Sequence, residues 1–291
     1  MTDAQRSAVR PVPAADHDAS GGQGRAATAA RRRWWHRVGL TTGRRRALIS
    51  LGIGVVIWEF VARVIVEGTL FFVPITDVFQ AGVEMTLSGE LPHHAWVSFQ
   101  EFAYGLILAI VVGVPLGLAI GVSSRVKDYV QPWISGLYST PLIALAPLFI
   151  LWLGIGLASK IAVVFIMALF PIVINTTAGI KNTDQTHIDV ARAFGYSRPE
   201  IFRKVLLPSA LSFIVTGFRL AVGRGIVAVV VAEFFGSRAG LGYLILVSSQ
   251  SFAMDRLLLA VLVLAFTGIL GIGLVERLER RLAPWREEMV V

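Results

Sequence analysis

The 291-residue chain is 55% hydrophobic and only 16% charged, with a formal net charge of +8 and no cysteine. That balance lies far from an ordinary soluble domain, and the missing cysteine excludes disulfides and thiolate metal sites. A positive chain can bind nucleic acid, but the placement of its charge points to a membrane instead.

Residues 1–46 are rich in Ala, Gly, Asp and Arg, a composition expected to form a disordered cytoplasmic tail. They include Arg31-Arg32-Arg33 and Arg44-Arg45-Arg46. A signal peptide is not expected, because the polar stretch is long and the apolar run behind it suffices for a full crossing. The arginines are read as an orientation determinant that also touches anionic lipid, in preference to a twin-Arg signal or a nucleic-acid patch. Trp34 and Trp35 fit an interfacial anchor.

About 20 apolar residues cross a bilayer. Six such runs follow, at Ala47–Val66, Ser98–Val122, Val130–Leu153, Ile161–Gly179, Ser209–Val231 and Leu257–Val275. The expectation is therefore an all-α membrane protein with about six transmembrane helices in one domain, residues 47–283, and a short cytoplasmic tail, residues 284–291. Span two carries Gly105, Ala109, Gly113, Gly117 and Gly121, a small residue at every fourth position, which suits close helix packing. Span three contains Pro132, Pro141 and Pro147 and is expected to be kinked or partly unwound. Tyr138, Ser139 and Thr140, and Asn175, Thr176 and Thr177 in span four, either edge a path or join helices.

Basic residues alternate in sidedness. The tail carries ten arginines, while the stretch from Gly68 to Ala95 has Asp77, Glu84 and Glu90 but no Lys or Arg. Arg125 and Lys127 follow span two, Lys160 alone follows span three, and Lys181, Arg192, Arg198, Arg203 and Lys204 follow span four. The positive-inside rule then puts both termini and the loop after span four in the cytoplasm.

That loop, residues 182–208, has a mechanical design. His187, Val190, Ala191 and Phe194 lie on one helical face, and Gly195 follows where a left-handed residue can end a helix. Ser197-Arg198-Pro199-Glu200 is a capping box with proline in the first turn. A second amphipathic helix follows, with Ile201, Phe202, Val205 and Leu206 on its apolar face, and Pro208 is expected to mark the entry to span five. The result is a compact docking element with an apolar knob at Phe194. Span five holds Arg219, Arg224 and Glu233. Charges within a span face a cavity or pair with one another, so these residues either line a pathway for an anionic solute or make buried pairs.

The run Asp189-Val190-Ala191-Arg192-Ala193-Phe194-Gly195, with Val205, Leu207 and Pro208 after it, resembles the E-A-A-x3-G-x9-I-x-L-P loop of ABC importer permeases. Asp189 replaces the Glu of the motif and Val190 its first Ala. Pro141 through Pro147, Leu151 through Gly156, Phe218 through Arg224, Ala232-Glu233 and Gly240 through Ile245 are similar to the nitrate, sulfonate and taurine branch. The resemblance implies a type I importer permease with a cytoplasmic coupling-helix loop. It implies import of a small anionic solute across a bacterial inner membrane. The implied partners are two ATPase subunits, a second permease copy as a homodimer, and an extracytoplasmic solute-binding protein.

No cofactor is expected on this chain, since no G-x4-G-K-[ST] phosphate loop, H-E-x-x-H or G-x-S-x-G occurs in it. ATP hydrolysis is assigned to a separate subunit, and the chain is not expected to be an enzyme. The alternative is a secondary transporter driven by an ion gradient, for which internal repeats and intramembrane carboxylates are the signals sought.

Overall fold

The structure, a computed structural model, describes residue 43, residues 45–66 and residues 71–282. Most of the basic tail, with Trp34 and Trp35, and residues 284–291 lie outside the described residues. Helix α1 (Arg45–Ile65) is long and apolar enough to cross a membrane and ends in a π turn over Val61–Ile65. The chain divides after Phe60 into two compact units, and the architecture below is that of the second.

Among the described residues, the stretch between the first two expected spans is largely helical. It contains α2 (Ile75–Leu87) and the first turns of α3 (Glu90–Val122), which begins at Glu90 instead of Ser98. Val78, Ala81 and Met85 lie on one face of α2 and pack against Leu241, Leu244, Leu259 and Ala260. That apolar periodicity gives the helix a face to bury and so a reason to form. Span three is broken, as expected: α4 (Ser124–Ser139) meets the segment Leu142–Leu153 at 89°. The second arm is a 3-10 turn (Leu142–Leu145) followed by α5 (Ala146–Leu153). Pro141 lacks an N–H and disfavours helix at the residue before it, and Thr140 is extended with φ −81° and ψ 140°.

Helix α6 (Leu157–Lys181) starts before the expected Ile161 and takes Lys160 into the helix, out of the loop where its charge had been counted. Helix α7 (Gln185–Ala193) follows, then α8 (Arg198–Ile201), a π turn (Phe202–Leu206) and α9 (Leu207–Gly236). Pro208 stands at the entry to span five, as expected, in the first turn of α9, and Arg198–Gly236 runs as one 39-residue helical path. Pro208 has no N–H, and its ring crowds the carbonyl four residues back. The chain opens the turn instead, and the Leu207 N–H donates to the Phe202 carbonyl five residues back. Two further helices, α10 (Leu241–Gln250) and α11 (Met254–Leu282), complete the unit.

Among the described residues five helices are long and apolar enough to span a membrane, and the bent pair makes a sixth. The centre is α6, packed between α3 and α9. A Cβ on Gly105 would lie 2.5 Å from Val164, one on Gly113 3.0 Å from Ile172, and one on Gly117 or Gly121 2.6 Å from Thr176 or Ile180. Ala109 completes the row, clustered with Ala168. Rows spaced by four on both helices therefore interlock, and the small-residue stripe is a packing surface. Gly117→Val should cost about 1–3 kcal/mol, because its side chain would also meet the Val173 carbonyl. A thermal unfolding midpoint unchanged by this substitution in detergent would contradict the interlock.

Candidate functional site

The loop after α6 forms a rigid corner. Asp184 caps α7 by accepting from the Thr186 N–H at 2.8 Å. That bond holds the Asp184 carboxyl below its ordinary range, so the cap is complete at neutral pH and is lost as pH falls through the lowered value. At the other end, Gly195 has φ +78°. Its N–H donates to the Arg192 carbonyl at 2.9 Å, and the Tyr196 N–H donates to the Ala191 carbonyl at 3.1 Å. These two bonds are the Schellman pattern that ends a helix at a left-handed glycine. Glu200 then accepts from the Ser197 N–H at 2.9 Å and from its hydroxyl at 2.8 Å, within a capping box. Lys204 lies 4.3 Å over the Tyr196 ring and closes the turn.

The expected docking residues fall on both sides of this corner. Ala191 is buried beneath it, whereas Val190 is half exposed and Phe194 is 78% exposed. Asp189 is exposed and its Oδ1 accepts from Gln185 at 2.9 Å and Arg192 at 3.1 Å. Val190, Phe194, Val205 and Pro208 line one groove of about 380 Å³. Leu207 points elsewhere, packing with the cluster of Ile180, Ala210 and Ile214 that ties the corner to α6 and α9.

The three charged residues of span five separate into different environments. Glu233 is fully buried. One carboxylate oxygen accepts from the Ser98 hydroxyl at 2.6 Å, and the other accepts from the N–H groups of Gly242 at 2.5 Å and Tyr243 at 3.2 Å. A carboxylate at a helix N-terminus satisfies free N–H groups and complements the helix dipole, so Glu233 anchors α10. Ser98 also accepts from the Leu241 N–H at 2.7 Å, and His94 Nδ1 from the Gly240 N–H at 3.0 Å. Gly240, at φ +120°, allows this approach, because a Cβ there would collide with the Glu233 carboxylate. Arg219 is paired instead with α11, at 2.8 Å from Glu279 and 3.9 Å from Glu276.

Arg224 differs from both. It is exposed and makes no hydrogen bond or ion pair among the described residues. It lines a cavity of about 320 Å³ with Tyr138, Thr140, Pro141, Ile143 and Met167, so the break in span three, α6 and α9 meet there. The other polar residues singled out in the sequence serve packing. Thr177 donates to the Gly117 carbonyl at 3.1 Å, Asn175 to the Pro171 carbonyl at 2.8 Å, and Thr176 is buried.

One central feature had no local signal. Lys160 on α6 and Glu101 on α3 form a buried ion pair at 2.7 Å, and Lys160 also donates to the Ser237 hydroxyl at 2.7 Å. With Glu233 and Ser98, these residues join α3, α6, α9 and α10 through one polar cluster.

A span broken at Thr140–Pro141, packed among long apolar helices and joined through α6 and α9 to a hydrogen-bonded corner, is the build of a helical membrane permease. A profile described as binding-protein-dependent transport system inner membrane component matches residues 109–284. The chain belongs to that family, the permease subunits of ABC importers. It is 34% identical to the aliphatic sulfonates transport permease protein SsuC of Bacillus subtilis, over 84% of this chain and 88% of that one. Identity is 33% to the formylaminopyrimidine transport permease protein ThiX of Halalkalibacterium halodurans (80% and 92% covered). It is 31% to the taurine transport system permease protein TauC of Escherichia coli (84% and 92% covered). The inward-facing MetNI methionine ABC transporter shares the fold, with a TM-score of 0.57 at 21% identity, covering 68% of this chain and 98% of that one. The protein is thus a multi-pass inner-membrane permease that works with an ATPase and a binding protein, and it is not itself an enzyme.

Proposed function

We propose that this chain, paired with a second copy, forms the pathway for a small anionic solute of the sulfonate or taurine kind. A binding protein delivers the solute from outside, and two ATPase subunits dock from the cytoplasm. In this reading both termini and residues 182–208 are cytoplasmic. Asp189, Val190, Ala191, Phe194, Gly195, Val205, Leu207 and Pro208 form the coupling element, and Arg224 faces the pathway. The single observation that supports docking is Phe194, a large apolar side chain left exposed on a corner whose every turn is hydrogen-bonded. Such an element passes on rigid-body motion instead of absorbing it. The π turn and continuous helix from Arg198 to Gly236 carry that motion directly into the span bearing Arg224.

Phe194→Ala tests the docking role. Its side chain supports little of the fold, so insertion and thermal stability should be unchanged. Co-purification of the ATPase and ATP-driven uptake should each fall at least tenfold. Normal docking and uptake would remove Phe194 from the interface. A secondary transporter is disfavoured by the family, and Glu101 and Glu233 are both engaged in structural contacts.

A further inference from the structure

We infer that Arg224 and Tyr138 form an oxyanion-recognition station inside the membrane, so that the permease itself discriminates by charge. The inference rests on the permease reading above and deepens it. Three observations converge on one cavity. First, the Arg224 guanidinium, halfway along α9, has no carboxylate or carbonyl partner among the described residues, unlike Arg219, about 140° away around the same helix. An uncompensated arginine in a span is costly unless water or an anion reaches it. Second, Tyr138 also lines the cavity and its hydroxyl makes no hydrogen bond among the described residues, so a second donor stands free. Thr140 on the same wall already donates to the Gly136 carbonyl at 3.0 Å and contributes shape and one acceptor.

Third, Thr140, Pro141 and Ile143 at the break in span three are exposed and lie beside Met167, near the middle of α6. Irregular backbone at that depth persists only where protein or a water-filled cavity covers it. Lipid cannot satisfy it and no described residue covers it, so we take the cavity to be aqueous. No carboxylate among the described residues lines it, which leaves a positive site with a free phenol donor. An arginine fork matches a planar or tetrahedral oxyanion, making two parallel N–H bonds to two oxygens. A phenol can bond a third. The ligand class is therefore a small monoanion with a sulfonate, carboxylate or nitrate head. A neutral pyrimidine offers no such charge.

The absence of cysteine permits a direct test on the full-length chain in membrane vesicles. Thr140→Cys places a single thiol on the cavity wall, and Ile143→Cys does the same from the next turn. Each is titrated with an anionic reagent, sulfonatoethyl methanethiosulfonate, and with its cationic trimethylammonioethyl counterpart. In either case the thiolate forms a mixed disulfide and methanesulfinate leaves. We expect the ratio of anionic to cationic labelling rates to fall about tenfold when Arg224→Gln is added, and to be kept by Arg224→Lys. A ratio indifferent to Arg224→Gln would overturn the station, as would two cysteines that neither reagent reaches. Labelling needs no ATP, ATPase or binding protein, so its failure is distinct from a failure of Phe194→Ala to weaken docking.

Discussion

Lys160→Met should be among the most damaging single substitutions in this protein. Its ammonium lies 2.7 Å from Glu101, whose side chain is 1% exposed. Removing one partner of a buried pair leaves the other charge uncompensated, at a cost of about 3–5 kcal/mol. The second oxygen of Glu101 has no hydrogen-bond partner among the described residues. The double variant Lys160→Met with Glu101→Gln should regain most of the loss, because the desolvated charge disappears with its partner. Thermal unfolding midpoints of the purified variants in one detergent give the comparison. A double variant no more stable than the single one would show that Lys160 acts through Ser237 and not through the ion pair.

Glu233→Ala should be comparably severe, for a different reason. It strips the acceptors from the Ser98 hydroxyl and from the N–H groups of Gly242 and Tyr243 together. Hydrogen bonds to a charged group contribute about 1.5–3 kcal/mol each, and buried donors left unpaired add a desolvation cost. We expect about 3–4 kcal/mol in all, less than the simple sum because α10 relaxes. Glu233→Gln keeps one carbonyl for the helix N-terminus and should cost about 1 kcal/mol. Hydrogen exchange should localise the Ala effect to residues 240–250. Equal damage from Gln and Ala would mean that charge, and not acceptor geometry, anchors α10. Both substitutions bear on transport indirectly, since α10 sits between α9 and α11 and packs on α2 through Leu241 and Leu244.

Much of the architecture was legible beforehand because membrane spans and capped corners are encoded locally. A run of about 20 apolar residues specifies a crossing whatever it later packs against. The Gly195 corner was readable for the same reason: a left-handed glycine, a helix face and a capping box all lie within a few residues of each other. The glycine stripe of α3 was legible as a packing surface, though not the identity of the α6 residues that fill it. Pro208 was legible as the entry to span five, though not the π turn that joins the preceding short helix to it. Helices α2 and α10 were missed because each is too short to register as a span and lies between stronger signals.

By itself, then, the sequence determined the membrane class, the spans, and the local geometry of the corner at Gly195. Only the tertiary structure decided what each intramembrane charge does. Glu101 and Lys160 are 59 residues apart, Arg219 and Glu279 are 60 apart, and Ser98 and Glu233 are 135 apart. No helical or strand periodicity connects positions at such distances. The burial that makes the Lys160–Glu101 and Ser98–Glu233 contacts obligatory arises only when α3, α6 and α9 come together. Arg219, Arg224 and Glu233 look alike along the chain, and they differ because packing supplies a partner to two of them and a cavity to the third.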